Sequence, residues 1–94
     1  MKNALGFERM KRYRLYTELK NLDALTKLAQ SYFEGFTMYA AKGVWKGQEE
    51  GTIIIEVMEK FGLQKAMDLA EDIKELNGQE AVFLTVEEIG GRLI

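Results

Sequence analysis

The chain has 94 residues, 13 of them Lys or Arg and 15 Asp or Glu, for a formal net charge of −2, and it contains no Pro, Cys or His. With neither Cys nor His there is no disulfide, thiol nucleophile, zinc or haem site, and no side chain whose unperturbed pKa lies near neutrality. A hydrophobic fraction of 47% with 30% charged residues belongs to a packed domain, but a chain this short buries only about 60–65% of its unfolded surface, so self-association is an expected source of stability.

Residues 13–19 open the series of elements. Tyr13, Leu15, Thr17 and Leu19 alternate with Arg14, Tyr16 and Glu18, the period-two pattern of a half-buried strand, and Arg12 extends the second face. Leu22, Leu25, Leu28, Ala29, Tyr32 and Phe33 then recur at helical spacing. Asn21 is the expected N-cap, Asp23 sits where the helix dipole favours it, and Glu34-Gly35 is the stop. Residues 36–45 predict a second strand, with a bulge or register change expected near Gly43 because Lys42 interrupts the apolar alternation. Lys46 to Gly51 is turn material, and the β-branched run from Thr52 to Met58 completes a hairpin. Ile54 is apolar on the otherwise polar side of that strand, so something must cover it. Leu63, Ala66, Met67, Ala70, Ile73 and Leu76 form a second helical stripe that Asn77-Gly78 ends. Residues 81–86 predict the last strand.

The order β-α-β-β-α-β is that of an α+β, ferredoxin-like fold: a four-stranded antiparallel sheet with two helices on one face. It predicts a single domain over residues 1–94, with an N-terminal extension at 1–10 and a C-terminal tail at 90–94. The second sheet face would present Arg12, Arg14, Tyr16, Thr37, Tyr39, Trp45, Ile54, Glu56 and either Phe83 or Leu84. Such a face is too aromatic to be merely wetted and marks an interaction surface. Charge is polarised as well: residues 1–30 hold seven basic and three acidic side chains, and the rest hold six basic and twelve acidic.

The segments Gly35-Phe-Thr37, Gly43-Val-Trp-Lys-Gly47 and Ile53-Ile-Ile-Glu-Val57 resemble the strand-hairpin-strand region of small PII-like and CutA-like proteins. They also resemble bacterial and phage proteins with a GfT...GxWxG pattern. The resemblance implies a homo-oligomer, a trimer or dimer, with nucleotides or other small anions in clefts between subunits. Two departures limit it. The turn at Lys46–Gly51 is too short for the long regulatory loop of PII proteins, and the Cys or His ligands of CutA-like metal sites are missing.

Candidate ligand contacts follow from chemistry. Arg12 and Arg14 project to one side of their strand about 6–7 Å apart, and guanidinium forks chelate anions bidentately. The competing account pairs them with Glu56 or Glu18. Tyr16, Tyr39 and Trp45 offer rings for stacking, Lys46 a further cation and Gln48 a polar contact; Trp45 equally suits an interface anchor. A pI near 5.2 and the lack of an RNA-recognition aromatic motif argue against nucleic acid.

The helix carboxylates Asp68, Glu71, Asp72 and Glu75 lie on a solvated stripe, which leaves Glu56 without a catalytic partner. The expectation is therefore that the chain is not an enzyme and needs no cofactor or metal. The start, Met1 to Gly6, lacks the apolar stretch of a signal peptide, and no run reaches the roughly 20 apolar residues needed to cross a bilayer, so a cytoplasmic location and no membrane partner are expected. The predicted function is a homo-oligomeric binder of a small anionic ligand, a nucleotide above all, acting as a sensor or, by the phage resemblance, as an anti-defence sponge that sequesters it. The alternative is a protein-interaction module or inhibitor without a small ligand.

Overall fold

Alternating apolar residues need a covered face, and the two amphipathic helices supply it. In the computed structural model, which describes residues 6–94, the elements are β1 (Glu8–Glu18), α1 (Leu22–Gln30), β2 (Thr37–Trp45), β3 (Gln48–Glu59), α2 (Leu63–Asn77) and β4 (Phe83–Gly91). The strands form one antiparallel sheet in the order β2-β3-β1-β4, the ferredoxin-like arrangement expected. Tyr13, Leu15 and Thr17 of β1 and Ile53, Ile55 and Val57 of β3 are buried on one face. They pack beneath Leu25, Ala29 and Phe33 from the α1 side and Ala66, Leu69, Ala70 and Ile73 of α2. Each such Leu or Ile contributes about 1.5–3 kcal/mol by leaving water.

A polar joint closes one end of this core. Buried Asn77 donates from Nδ2 to Thr17 Oγ1 (3.2 Å) and to Gln79 Oε1 (2.9 Å), while its Oδ1 accepts from Asn21 Nδ2 (2.9 Å). Asn21 occupies the N-cap position as expected but does not cap: its backbone is left-handed (φ 56°), and its side chain is turned to Asn77 instead. Gly78, also left-handed (φ 62°), ends α2. The Gly78 amide bonds the Glu75 carbonyl at 3.3 Å and the Gln79 amide the Lys74 carbonyl at 3.2 Å, a Schellman closure.

Three boundaries differ from the sequence expectation. β1 begins at Glu8 and pairs with Gly91, Gly90 and Ile89, so residues 8–10 and 90–91 are strand rather than extension and tail; residues 1–5 of the expected extension lie outside the described residues. There is no bulge at Gly43, because Ala41↔Thr52, Gly43↔Glu50 and Trp45↔Gln48 run in unbroken register. A Cβ at Gly43 would meet the Thr52 hydroxyl, which would have to turn aside to admit it. The expected six-residue turn shrinks to Lys46 and Gly47, both at positive φ (49° and 76°), as a two-residue hairpin with right-handed twist requires.

The β2–β3 hairpin consequently outruns the sheet. β1 last pairs with β3 at Glu18↔Thr52, and after Leu19 N–H donates to the Gly51 carbonyl at 3.0 Å the two strands bond only to each other among the described residues. This arm makes the molecule long, 45 × 29 × 21 Å. Its radius of gyration, 14.4 Å, exceeds the roughly 12 Å of a compact domain of this length.

Candidate functional site

The register assigns every side chain on the helix-free face to a cross-strand row. Tyr39 (β2), Ile54 (β3), Tyr16 (β1) and Phe83 (β4) stand side by side across all four strands. Tyr16 and Phe83 have ring centroids 6.0 Å apart at 48°. Ile54, only 9% exposed, lies between the two tyrosines, which is how the apolar residue on the polar side of β3 is covered. One step along the strands comes a row of Thr37, Glu56, Arg14 and Thr85, and beyond it Met58, Arg12 and Glu87.

The charged groups form a chain of four, Arg12–Glu87–Arg14–Glu56. Arg14 Nε donates to Glu56 Oε1 at 2.7 Å and Arg14 NH1 to Glu87 Oε1 at 3.4 Å, while Arg12 Nε and NH2 reach Glu87 Oε1 at 3.0 and 2.8 Å. The hydrogen bond from Arg12, reinforced by the charges of both arginines, holds the Glu87 carboxyl below its ordinary pKa despite opposing desolvation. The hydrogen bond to Glu56 likewise raises the Arg14 pKa, with burial acting against it. Of the two accounts weighed for these arginines, ion pairing with Glu56 is observed for Arg14; Glu18 pairs with Lys20 instead.

Within one chain, Arg12, Arg14, Tyr16 and Tyr39 come together. Trp45, Lys46 and Gln48 do not: they form the arm's tip. Gln48 is eight residues along β3 from Glu56, about 26 Å at strand rise. Trp45 is 65% exposed and carries the Lys46 ammonium 5.7 Å from its ring. Phe83 and Glu87 complete the face. The register settles the choice between Phe83 and Leu84 in favour of Phe83; Glu87 was not anticipated, although its position four residues on from Phe83 places it on the same side of the strand. Chemically the face offers flat apolar area for a ring, two guanidinium groups, and carboxylates able to accept hydroxyl protons.

No family model matches the chain, and no curated protein matches its sequence. Solved structures match its fold. A nitrogen regulatory PII-like protein from Thiomonas intermedia K12, bound to ADP, AMP and bicarbonate, superposes with a TM-score of 0.66 at 18% identity, covering 94% of this chain and 99% of that one. A phage SAM lyase in complex with S-methyl-5′-thioadenosine gives 0.64 at 17% identity, over 87% and 90%. The GlnK–ATP complex of B. subtilis gives 0.64 at 17%, over 86% and 82%. The chain thus has the ferredoxin-like fold of PII-like proteins.

The expectation that the chain is not an enzyme is corrected by the lyase, since this architecture carries an enzyme among its neighbours. A lack of His and Cys does not exclude catalysis, and Glu56 is not a solitary carboxylate. Arg14 draws Glu56 and Glu87 to the same guanidinium, so two carboxylates flank one face. Among the described residues no helix is long and apolar enough to cross a membrane.

Proposed function

We propose that the helix-free face binds an adenosine-containing small molecule, a nucleotide or nucleoside, at a boundary between copies of the chain. The observation that carries this is the ring row Tyr39–Ile54–Tyr16–Phe83 lying beside the Arg12–Glu87–Arg14–Glu56 quartet. Stacking suits an adenine, the arginines suit phosphate, and the carboxylates suit ribose hydroxyls. The ligands of the three matched structures support the choice, because ADP, AMP, ATP and S-methyl-5′-thioadenosine share the adenosine group. Trp45, Lys46 and Gln48 contribute from a neighbouring copy, since within their own chain they stand too far from the rings. Sensing or sequestering the nucleotide is the use assigned to this site.

The test is thermal unfolding with AMP, ADP, ATP, S-adenosylmethionine and S-methyl-5′-thioadenosine, paired with sedimentation. A ligand at one hundred times its Kd adds about 2.7 kcal/mol to stability, which raises Tm by roughly 10–20 °C for a chain of this size. No shift with any of the five, or a stable monomer with and without them, defeats the proposal. Chromatography of the same mixtures separates uses. Intact ligand supports sensing or sequestration, and its conversion to products makes the face a catalytic one.

A further inference from the structure

The alternation that buries Tyr13, Leu15 and Thr17 continues backwards to Lys11 and Arg9, on the same side of β1, where the helices no longer cover the sheet. There a groove of about 440 Å³ opens, with Arg9, Lys11, Lys60, Phe61, Glu88 and Gly90 among its lining, within the usual size range for small-molecule sites. Three cations face one carboxylate in that set. Arg9 and Lys11 form no ion pair among the described residues, although Lys11 is half-buried, and Lys60 has only a loose 3.7 Å contact with Glu8. In the register Lys11 stands between Glu59 of β3 and Glu88 of β4; Glu59 pairs with Lys65 at 3.4 Å, so Glu88 is the carboxylate this groove sets against Arg9, Lys11 and Lys60, and an added anion lowers the repulsion that remains among them. Gly90, opposite Arg9 in the register, leaves that stretch free of a side chain. Phe61 projects at the rim with 90% of its surface exposed, an apolar platform beside the cations.

We infer that this groove is a second ligand site, which takes a phosphorylated small molecule bearing a planar group: Arg9 and Lys11 chelate the phosphate, Lys60 adds charge, and the Phe61 ring packs against the planar part. It is separate from the adenosine face. It opens on the helix side of the sheet, and Arg9 is seven residues along β1 from Tyr16, about 23 Å, beyond the span of a single nucleotide. The inference does not depend on the proposal above.

Phenyl phosphate and inorganic phosphate are the probes, titrated into the full chain at low ionic strength and followed by amide NMR. Saturable shifts centred on residues 9–11, 60–61 and 88–90 are expected, with phenyl phosphate the tighter of the two. Arg9→Ser/Lys11→Ser should weaken both probes at least tenfold, and Lys11→Arg should restore most of the loss. Phe61→Ser should remove the advantage of phenyl phosphate and leave inorganic phosphate unchanged. Phe83→Leu, on the opposite face, should leave the shifts at residues 9–11, 60–61 and 88–90, and the affinities read from those residues, as they were. The inference is overturned by non-saturating shifts, by an Arg9→Ser/Lys11→Ser variant that binds within twofold of the parent, or by loss of binding at those residues in Phe83→Leu. A thermal melt of each variant confirms that it is folded, and any that is not is replaced by the corresponding single substitution.

Discussion

Replacing Phe83 by Leu tests the ring row directly. Phe83 is 68% exposed and lies on β4, an edge strand of the sheet, where its main described side-chain partner is the Tyr16 ring at 6.0 Å. Leucine keeps an apolar side chain at the site, so the loss to folding is little more than the ring pair, about 0.5–1.5 kcal/mol. For a chain of 94 residues that lowers Tm by roughly 2–12 °C. Stacking of a base on an aromatic ring is worth about 1–3 kcal/mol, so the Kd for ADP should rise by about 5- to 150-fold. Calorimetry reads the affinity, and unfolding in urea reads the stability on the same samples. If Phe83→Leu leaves the ADP affinity within twofold of the parent while the fold loses only this small increment, the ring row is not a stacking surface. A loss of stability well above 3 kcal/mol would refute the other half of the argument, because a side chain this exposed would then be acting as a core residue.

Gly43→Ala should destabilise the chain by about 1–3 kcal/mol through overpacking against the Thr52 hydroxyl, and Thr52→Ala should recover most of that loss in a double-variant denaturation series. Tyr32 donates its hydroxyl proton to Asp72, and that hydrogen bond, with burial and the carboxylate's charge behind it, pushes its pKa up to about 12. Its stabilising contribution is therefore complete below pH 10 and lost as pH rises from 10 towards 12; ultraviolet titration should show Asp72→Asn returning Tyr32 towards the ordinary value. Glu87 behaves in the opposite sense, since its depressed pKa makes its contribution present above the ordinary carboxylate range and lost as pH falls through the folded-state value. Carboxyl NMR should show Arg12→Ala moving Glu87 upward, and an unchanged midpoint would remove Arg12 as the cause.

Legibility in the sequence tracked burial. Where a strand has one dry face, as from Tyr13 to Thr17 or from Ile53 to Val57, alternation gave both the element and its inward side. Where both faces are wet, that signal vanishes. Glu8 to Arg12 carries a strand without an apolar stripe because no helix covers that end of the sheet, and the Lys42 interruption looked like a bulge because the arm has no core to point into. The turn is shorter than its composition suggests for the same reason: Gln48, Glu49 and Glu50 are polar and exposed, yet they are paired strand residues. At the site, placing Arg12, Arg14 and Tyr16 on one side needed only their spacing. Their partners needed the register of β4, which is set by pairing with a strand some 70 residues away and leaves no local trace.

That register also sets the charge a ligand must bring. The quartet holds two guanidinium groups and two carboxylates, so it is neutral, and a phosphate reaches either arginine only by competing with a glutamate. The two glutamates are unequal: the Glu56 side chain is 15% exposed and bonded to Arg14 at 2.7 Å, while Glu87 is 46% exposed and shared between both arginines. Glu87 is thus the one that can swing into water and free Arg12, at a small cost typical of exposed ion pairs, whereas uncovering Arg14 would strand a half-buried Glu56. One displaceable carboxylate matches a ligand with one phosphate or none better than a triphosphate, whose added charge meets the remaining Glu56. For the proposed adenosine site this predicts AMP or a neutral nucleoside binding ahead of ATP, an order that competition calorimetry in one buffer measures directly, and an ATP affinity ten times that for AMP would show that Glu56 leaves as readily as Glu87.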